Sequence, residues 1–467
     1  MKPLHDIFEL KTDSYKPSHW QQYQPGTTKI YSYLESRGGK FDKTLFFGLQ
    51  YILQKHFVGN VISKESINQA DAFLKVHSGY FNKEGWLSML KKYSGKLPLQ
   101  IKAVKEGTVV PVSNVLMTIE NTDPEFYLLT NYVESLLLQI WGPITISTNS
   151  FHCKQLIRKY LLETQGDDKS LPFKLHDFGF RGVNSVETAA IGGASHLVNF
   201  MGTDTIAGII MAMENYESEI CGFSIPASEH STITSWGRDR ELEAYRNMLK
   251  IYPTGLVACV IDSYNAYDAV EKMFGETLHD EVLSREGTFV FRPDSGNPPE
   301  VISRILDILW NKFGGDYSPK GFKVLNPKIR IIQGDGIDYE MIGEILLMMK
   351  NKGFSAENIA FGSGGGLLQK FDRDTQKFAI KCSYAQINGE DVNVYKDPIT
   401  GSGKVSKKGR LKLHHTGKAA FQTISSADTP EPQFNSYIDS LETVFENGEL
   451  KRKQTFDEIR AIANSYL

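Results

Sequence analysis

Between Leu256 and Gly366 the apolar positions fall in four short, β-prone runs: LVACVIDSY (256–264), TFVFRPDSG (288–296), IRIIQGDG (329–336) and NIAFGSGGG (358–366). Each run ends in acidic or glycine-rich residues, and helix-like stretches such as PPEVISRILDILWNKF and YEMIGEILLMMKNK separate them. Strand, polar strand end and helix in repetition is how a parallel β/α barrel presents its catalytic edge. A doubly wound sheet has the same local rhythm and is the structural alternative.

The flanking regions follow a different pattern. LQIKAVKEGTVVPVSNVLMTIENTDP alternates and carries turn residues, which predicts a β-meander, and FYLLTNYVESLLLQIW after Glu125 predicts a helix. Beyond Asp374, KFAIKCSYAQINGEDVNVYKDP predicts a hairpin turning at Asn388-Gly389. The predicted fold class is therefore α/β. It comprises an irregular parallel β/α barrel over 151–374 and a mixed α+β domain built from both terminal regions, 1–150 together with 375–467.

Composition changes this picture little. Hydrophobic residues make up 41% and charged residues 23%, enough apolar material for a large core in an ordinary globular protein. The net charge of −3 provides no global field for nucleic acid or an anionic membrane, so anion binding must come from local clusters. Cys153, Cys221, Cys259 and Cys382 lie far apart in no metal or CxxC spacing, which points to a reducing, cytoplasmic setting. The amino-terminal stretch becomes charged before an apolar run of signal-peptide length, and no stretch reaches membrane-span length.

Several motifs carry candidate chemistry. In FGSGGG (361–366) glycines let backbone N–H groups approach an anion, with the following helix adding its positive end; the bland reading is a tight turn. It matches neither the Walker pattern nor GxGxxG. In FRPDSGNP (291–298), Arg292 and Asp294 share a face at a strand end, as phosphate and ribose ligands or as a structural ion pair. QGDG (333–336) sets Asp335 between glycines. HDFGFRG (176–182) places Phe178 near Arg181, suited to a flat heterocycle joined to a phosphate, although Phe178 and Phe180 could equally be core.

In ASEHST (227–232), Glu229 adjoins His230 and could tune the imidazole, with a satisfied structural histidine as the plainer reading. GTDT (202–205) reads as a helix start capped by Thr203 or Asp204. The cluster Lys404, Lys407, Lys408, Arg410 and the run Lys451–Lys453 read as solvated faces.

In order, TDSYKPSH, YSYLESR, FFGLQYIL, KLHDFGFRGV, GTDT, PASEHSTIT, DSYNAY, FRPDSGNP, QGDG, FGSGGGLLQKFDRD, KCSY and SKKGRL resemble the nicotinamide phosphoribosyltransferases, from about Asp6 to the C-terminal FDEIRAIA. The wider family, of the type II phosphoribosyltransferase fold, also includes nicotinate and quinolinate enzymes. The resemblance implies transfer of a phosphoribosyl group from 5-phosphoribosyl 1-pyrophosphate to nicotinamide, within NAD salvage, in a homodimer whose sites straddle the interface. It implies Phe178 stacked on the pyridine ring, Tyr15 of the other subunit on the opposite face, and Asp204 accepting the carboxamide N–H.

By the same resemblance, Arg181, Arg292 and His230 lie around the phosphates, Asp262 and Asp294 near ribose and Mg²⁺, and Gly334, Asp335, Gly364 and Gly365 around the product. Arg37, Arg373, Lys381, Lys396 and Lys404 resemble the family's basic phosphate contacts. Asp13 and Ser224 belong to the substrate- or product-binding set, and Glu229 joins the catalytic group; no metal ligand is assigned directly. ATP phosphorylating His230 is implied as a stimulatory step. Ala258 stands where the family often has serine. A nicotinate-specific enzyme and a non-catalytic binding or signalling protein on the same fold are the alternatives.

Overall fold

A computed structural model describes residues 3–399, 405–417 and 420–467. The chain divides into two compact units: Met1–Thr148 with Glu214–Ser218 and Phe371–Leu467, and Asn149–Met213 with Glu219–Lys370. The short segment 214–218, assigned to the barrel by sequence, belongs to the terminal unit.

The second unit is built on six parallel strands: β1 (Leu175–Asp177), β2 (Gly202–Thr203), β3 (Thr254–Val260), β4 (Glu286–Arg292), β5 (Ile329–Gln333) and β6 (Ile359–Ser363), in the order β2-β1-β6-β5-β4-β3. The last four match the sequence expectation, and each stops where the acidic or glycine-rich residues begin. The first two escaped it, being three and two residues long with no apolar run to mark them.

One short segment completes the ring. Gly202 on β2 bridges to Phe223, and Ala258 on β3 bridges to Ala227, so 223–227 spans the sheet's two edges. The Thr203 and Ala258 N–H groups donate to the carbonyls of Phe223 and Pro226, at 3.0 and 2.9 Å. Inside, Ala258, Val290 and Ile332 pack with Ile225, Ala360 and Phe178. Helix Pro298–Phe313 follows β4, capped by the Asn297 side chain on the Glu300 N–H, with Pro298 and Pro299 in its first turn. Helix Tyr339–Asn351 follows β5 with Asp338 as its cap.

The terminal unit holds a seven-stranded sheet drawn from both ends of the chain. Its order is Glu390–Asn393, Phe378–Ile387, Thr27–Ser36, Val115–Asn121, Leu99–Ala103, Glu442–Glu446, Glu449–Leu450. The expected hairpin is present, with Asn388 and Gly389 both at positive φ (51° and 84°). The expected meander is not: Leu99–Ala103 pairs directly with Val115–Asn121, while Val109–Pro111 leaves to pair with Lys43–Leu45. The helix expected after Glu125 is broken into the turns Leu129–Tyr132 and Glu134–Leu137 before the long helix Trp141–Thr164. Among the described residues no helix is long and apolar enough to cross a membrane.

Candidate active site

A cavity of about 820 Å³ opens at the carboxyl ends of the barrel strands, lined by Phe178, Phe180, Arg181, Asp204, Glu229, His230, Arg292 and Asp294 among others. Parallel strands deliver their last residues to one rim, so residues more than a hundred positions apart in sequence meet there.

Phe178 follows directly on β1, and its N–H donates to the Ser363 carbonyl at the end of β6 (2.9 Å). Its ring lies across the glycine positions of neighbouring strands. A Cβ on Gly362 would stand 1.9 Å from Phe178 Cε2, and one on Gly334 3.2 Å from the same atom. The FGSGGG run therefore makes room for an aromatic ring as well as shaping a turn. The helix after it, Gly365–Leu368, is only four residues long, so the helical positive end expected there is a single turn. The Arg292 guanidinium sits 5.0 Å from the Phe178 ring centroid and donates to Asp294 Oδ1 at 3.1 Å. Its Nε is buried and, among the described residues, has no hydrogen-bond partner.

Asp204 does not cap the following helix, as one sequence reading had it. The Thr205 N–H goes to Thr203 Oγ1 (2.9 Å), and Asp204 Oδ1 accepts from His176 Nε2 (2.9 Å) and Ser224 Oγ (2.5 Å). Burial alone would raise this carboxyl, but the His176 and Ser224 hydrogen bonds and the Arg292 charge hold it below the usual carboxylate range. Beneath it, Asp177 is fully buried and accepts from the Gly179 N–H (2.7 Å), tying down the Phe178 turn.

His230 opens the short helix His230–Thr234 and pairs with Asp262, not with its neighbour Glu229, which accepts from Ser231. The His230 Nε2–Asp262 Oδ1 distance is 3.1 Å, with side-chain exposures of 45% and 6%. Asp262 Oδ2 accepts from the Asp294 N–H (3.0 Å) and Ser295 Oγ (2.5 Å), so one buried carboxylate positions both the histidine and the Asp294 loop. Sequence reading overlooked Ser295 and the anchoring part played by His176. Asp335 is exposed beyond β5, and Gly364–Gly365 adjoins the Arg181 turn, with a Cβ on Gly182 3.3 Å from the Gly365 nitrogen.

The remaining candidates lie in the terminal unit. The Asp13 N–H donates to Ser135 Oγ, which donates in turn to Asp13 Oδ2 (3.1 and 2.5 Å). Tyr15 is 60% exposed. Arg37 Nε donates to Glu35 (2.8 Å), while its Nη2 is buried with no partner among the described residues. Lys381 is exposed opposite Tyr33 in the sheet, and Lys396 and Arg373 are exposed. Lys404 lies outside the described residues. Lys407, Lys408 and Arg410 each pair with a carboxylate, from Glu35, Asp428 and Glu120 respectively.

The family model described as the nicotinate phosphoribosyltransferase (NAPRTase) family matches residues 173–449, and that of the nicotinamide phosphoribosyltransferase N-terminal domain matches 7–101. The chain belongs to this phosphoribosyltransferase family and is an enzyme of that class. It is 48% identical over 463 residues to the nicotinamide phosphoribosyltransferase of Xanthomonas campestris pv. campestris, with 98% of each chain covered. It is 33% identical to the enzyme of that name from Acinetobacter baylyi, covering 96% of this chain and 95% of that one. In fold it is similar to nicotinate-nucleotide pyrophosphorylase from Pyrococcus furiosus (TM-score 0.61, 15% identity, 99% and 97% covered). It is also similar to human nicotinic acid phosphoribosyltransferase (TM-score 0.55, 14% identity, 97% and 93% covered).

Proposed function

We propose that this enzyme joins nicotinamide to the phosphoribosyl group of 5-phosphoribosyl 1-pyrophosphate, forming nicotinamide mononucleotide and pyrophosphate in NAD salvage. The observation that carries this reading is the cavity itself, which an aromatic ring (Phe178), an ionised carboxylate (Asp204) and two guanidinium groups (Arg181 and Arg292) line together. The pyridine nitrogen lone pair attacks ribosyl C1 as the C1–O bond to pyrophosphate breaks. Positive charge grows on the ribose and negative charge on the leaving group. Phe178 aligns the weak nucleophile, a positioning effect, while the Arg181 and Arg292 guanidinium groups, whose side chains line the cavity, receive the diphosphate.

The donor set suits Mg²⁺ only in one form. Among the described residues no group of three His, Cys, Asp or Glu side chains could hold a metal, and Asp262 is committed to His230, Ser295 and a backbone N–H. That fits an ion that would arrive with the diphosphate, with Asp294 as the side chain that would help to hold it. When bound, the ion neutralises charge on the leaving group. The direct test supplies phosphoribosyl pyrophosphate with nicotinamide or nicotinate and analyses the product. Absence of nicotinamide mononucleotide overturns the reading.

ATP stimulation through a phosphohistidine is part of the same proposal. With Nε2 donating to Asp262, Nδ1 of the half-exposed His230 is the atom left to accept a phosphoryl group. His230→Ala is expected to lose ATP hydrolysis and ATP stimulation while transfer is reduced, not abolished, because the arginines remain. Mass spectrometry under alkaline handling preserves the N–P bond. Unchanged ATP hydrolysis in the variant sinks the idea.

We also propose a homodimer in which Tyr15 of one protomer closes the site of its partner. Two features support it: the exposure of Tyr15, and the exposed stripe Ile206, Ile210 and Met213 along one helix. Arg37, whose side chain is partly exposed, and the exposed Arg373, Lys381 and Lys396 then serve as phosphate contacts. Mixing inactive Tyr15→Ala and Asp294→Ala chains is expected to restore part of the activity, because one hybrid site carries neither lesion. No recovery in demonstrably mixed dimers refutes the shared site. The absence of a disulfide among the described residues suits the cytoplasmic setting of this reading.

A further inference from the structure

We infer that His176 is the positioning residue through which the barrel aims Asp204 and Phe178 at the base, and so a determinant of base choice. The inference rests on the reading that Asp204 recognises the carboxamide. His176 is the middle residue of β1, and its neighbours in the sheet are glycines on both sides, Gly202 on β2 and Gly362 on β6. Cross-strand neighbours point to the same face. The absent side chains therefore leave the imidazole free to lie along the sheet. A Cβ on Gly202 would stand 2.7 Å from His176 Nδ1, so the ring occupies the space that glycine vacates.

From there the imidazole touches both base-facing groups. Its centroid lies 5.2 Å from that of Phe178, with the planes at 53°. Its Nε2 lies 2.9 Å from Asp204 Oδ1. An ionised carboxylate is an acceptor only, so Nε2 carries the proton in this contact. Ser224 Oγ donates to the same oxygen. With two donors on Oδ1, Asp204 has Oδ2 left for a ligand N–H. Asp204 is half exposed whereas His176 is only 13% exposed, so the ordered partner is the histidine and the partner it orients is the carboxylate.

The experiment uses the intact enzyme with His176→Ala, His176→Gln, Asp204→Asn and the double variant His176→Ala/Asp204→Asn. Steady-state kinetics are measured with nicotinamide and nicotinate at saturating phosphoribosyl pyrophosphate. Losing one hydrogen bond to a charged group is expected to raise KM for nicotinamide about tenfold in His176→Ala, with kcat nearly unchanged. The nicotinamide-to-nicotinate ratio of kcat/KM falls by a similar factor. Glutamine, whose Nε2 reaches the same place, restores most of both. On the Asp204→Asn background His176→Ala changes the ratio little further, because the two residues act as a unit.

An equal fall in kcat for both bases, or a ratio that stays at its wild-type value, overturns the positioning role. If His176→Ala does not fold, His176→Phe decides, because it keeps a ring and loses the N–H: an unmoved ratio in a stably folded phenylalanine variant overturns the inference. Asp204→Asn separates the two readings. An unmoved ratio in that variant refutes carboxamide recognition by Asp204. A moved ratio there, with none in His176→Ala, refutes only the role of His176.

Discussion

Gly362→Ala is expected to lower kcat/KM about 100-fold, the cost of displacing a positioning group by about an ångström. A Cβ at this position would lie 1.9 Å from Phe178 Cε2, far inside van der Waals contact, so the ring must leave its place. Phe178 cannot give way simply. Its N–H is bonded to Ser363, its ring packs on the Ala258, Val290 and Ile332 layer, and the Arg292 guanidinium lies over it. Strain of this kind costs about 1–3 kcal/mol in stability as well. Gly343→Ala, in the middle of helix Tyr339–Asn351, is the contrast. There the new Cβ meets only Leu156 Cδ2 at 3.6 Å, and stability is expected to rise by up to about 1 kcal/mol through helix propensity. Steady-state kinetics and thermal unfolding of both variants check this. A fully active Gly362→Ala enzyme means that Phe178 does not align the base.

The second large effect is a change of base preference in Asp204→Asn and Asp204→Ser. The two bases are nearly the same shape, so packing discriminates poorly between them. On the proposed reading the carboxamide donates N–H to Asp204, whereas nicotinate brings a second negative charge. Like charges about 4 Å apart repel by roughly 4 kcal/mol at an effective dielectric near 20. Arg181, Arg292 and water screen part of this, yet about 1.4 kcal/mol already means tenfold discrimination.

Burial alone would raise the carboxyl, but the His176 and Ser224 donors and the Arg292 charge hold it below the ordinary range. Asp204 is therefore ionised at neutral pH, and the discrimination proposed for it is expected to persist as pH falls to the usual carboxylate value, fading only on passing through the depressed one. Both variants are expected to lose kcat/KM for nicotinamide and gain it for nicotinate, by about tenfold in the ratio. A ratio unchanged from wild type assigns selectivity to other residues.

How much of this was legible beforehand differs by element. The runs ending at Val260, Arg292, Gln333 and Ser363 read as strands because a strand buried on both faces is apolar throughout, a signal local to the run. The hairpin at Asn388-Gly389 was equally plain, since both residues tolerate positive φ. Motif identity pointed to Phe178, Arg181, Asp204, Arg292 and Asp294, which do line one cavity.

Other features had no local signature. The strands Leu175–Asp177 and Gly202–Thr203 are too short to show a period, and Phe223–Ala227 joins the ring through single bridges on either side. Sheet partners are chosen by tertiary packing and not by nearness in sequence, and in the terminal unit Val109–Pro111 pairs with Lys43–Leu45 and not with its neighbours along the chain.

The positions of four of the six barrel strands, and the residue types at their ends, are set locally, because hydrophobic periodicity and turn chemistry act over a few residues. Only the tertiary structure decided that His230 pairs with Asp262 and not with adjacent Glu229, that Asp204 bonds to His176 and not to its own helix, and that Gly362 makes room for a ring. Those outcomes depend on distances between groups brought together by parallel strands closing into a ring, and nothing in the local spacing of residues encodes such distances.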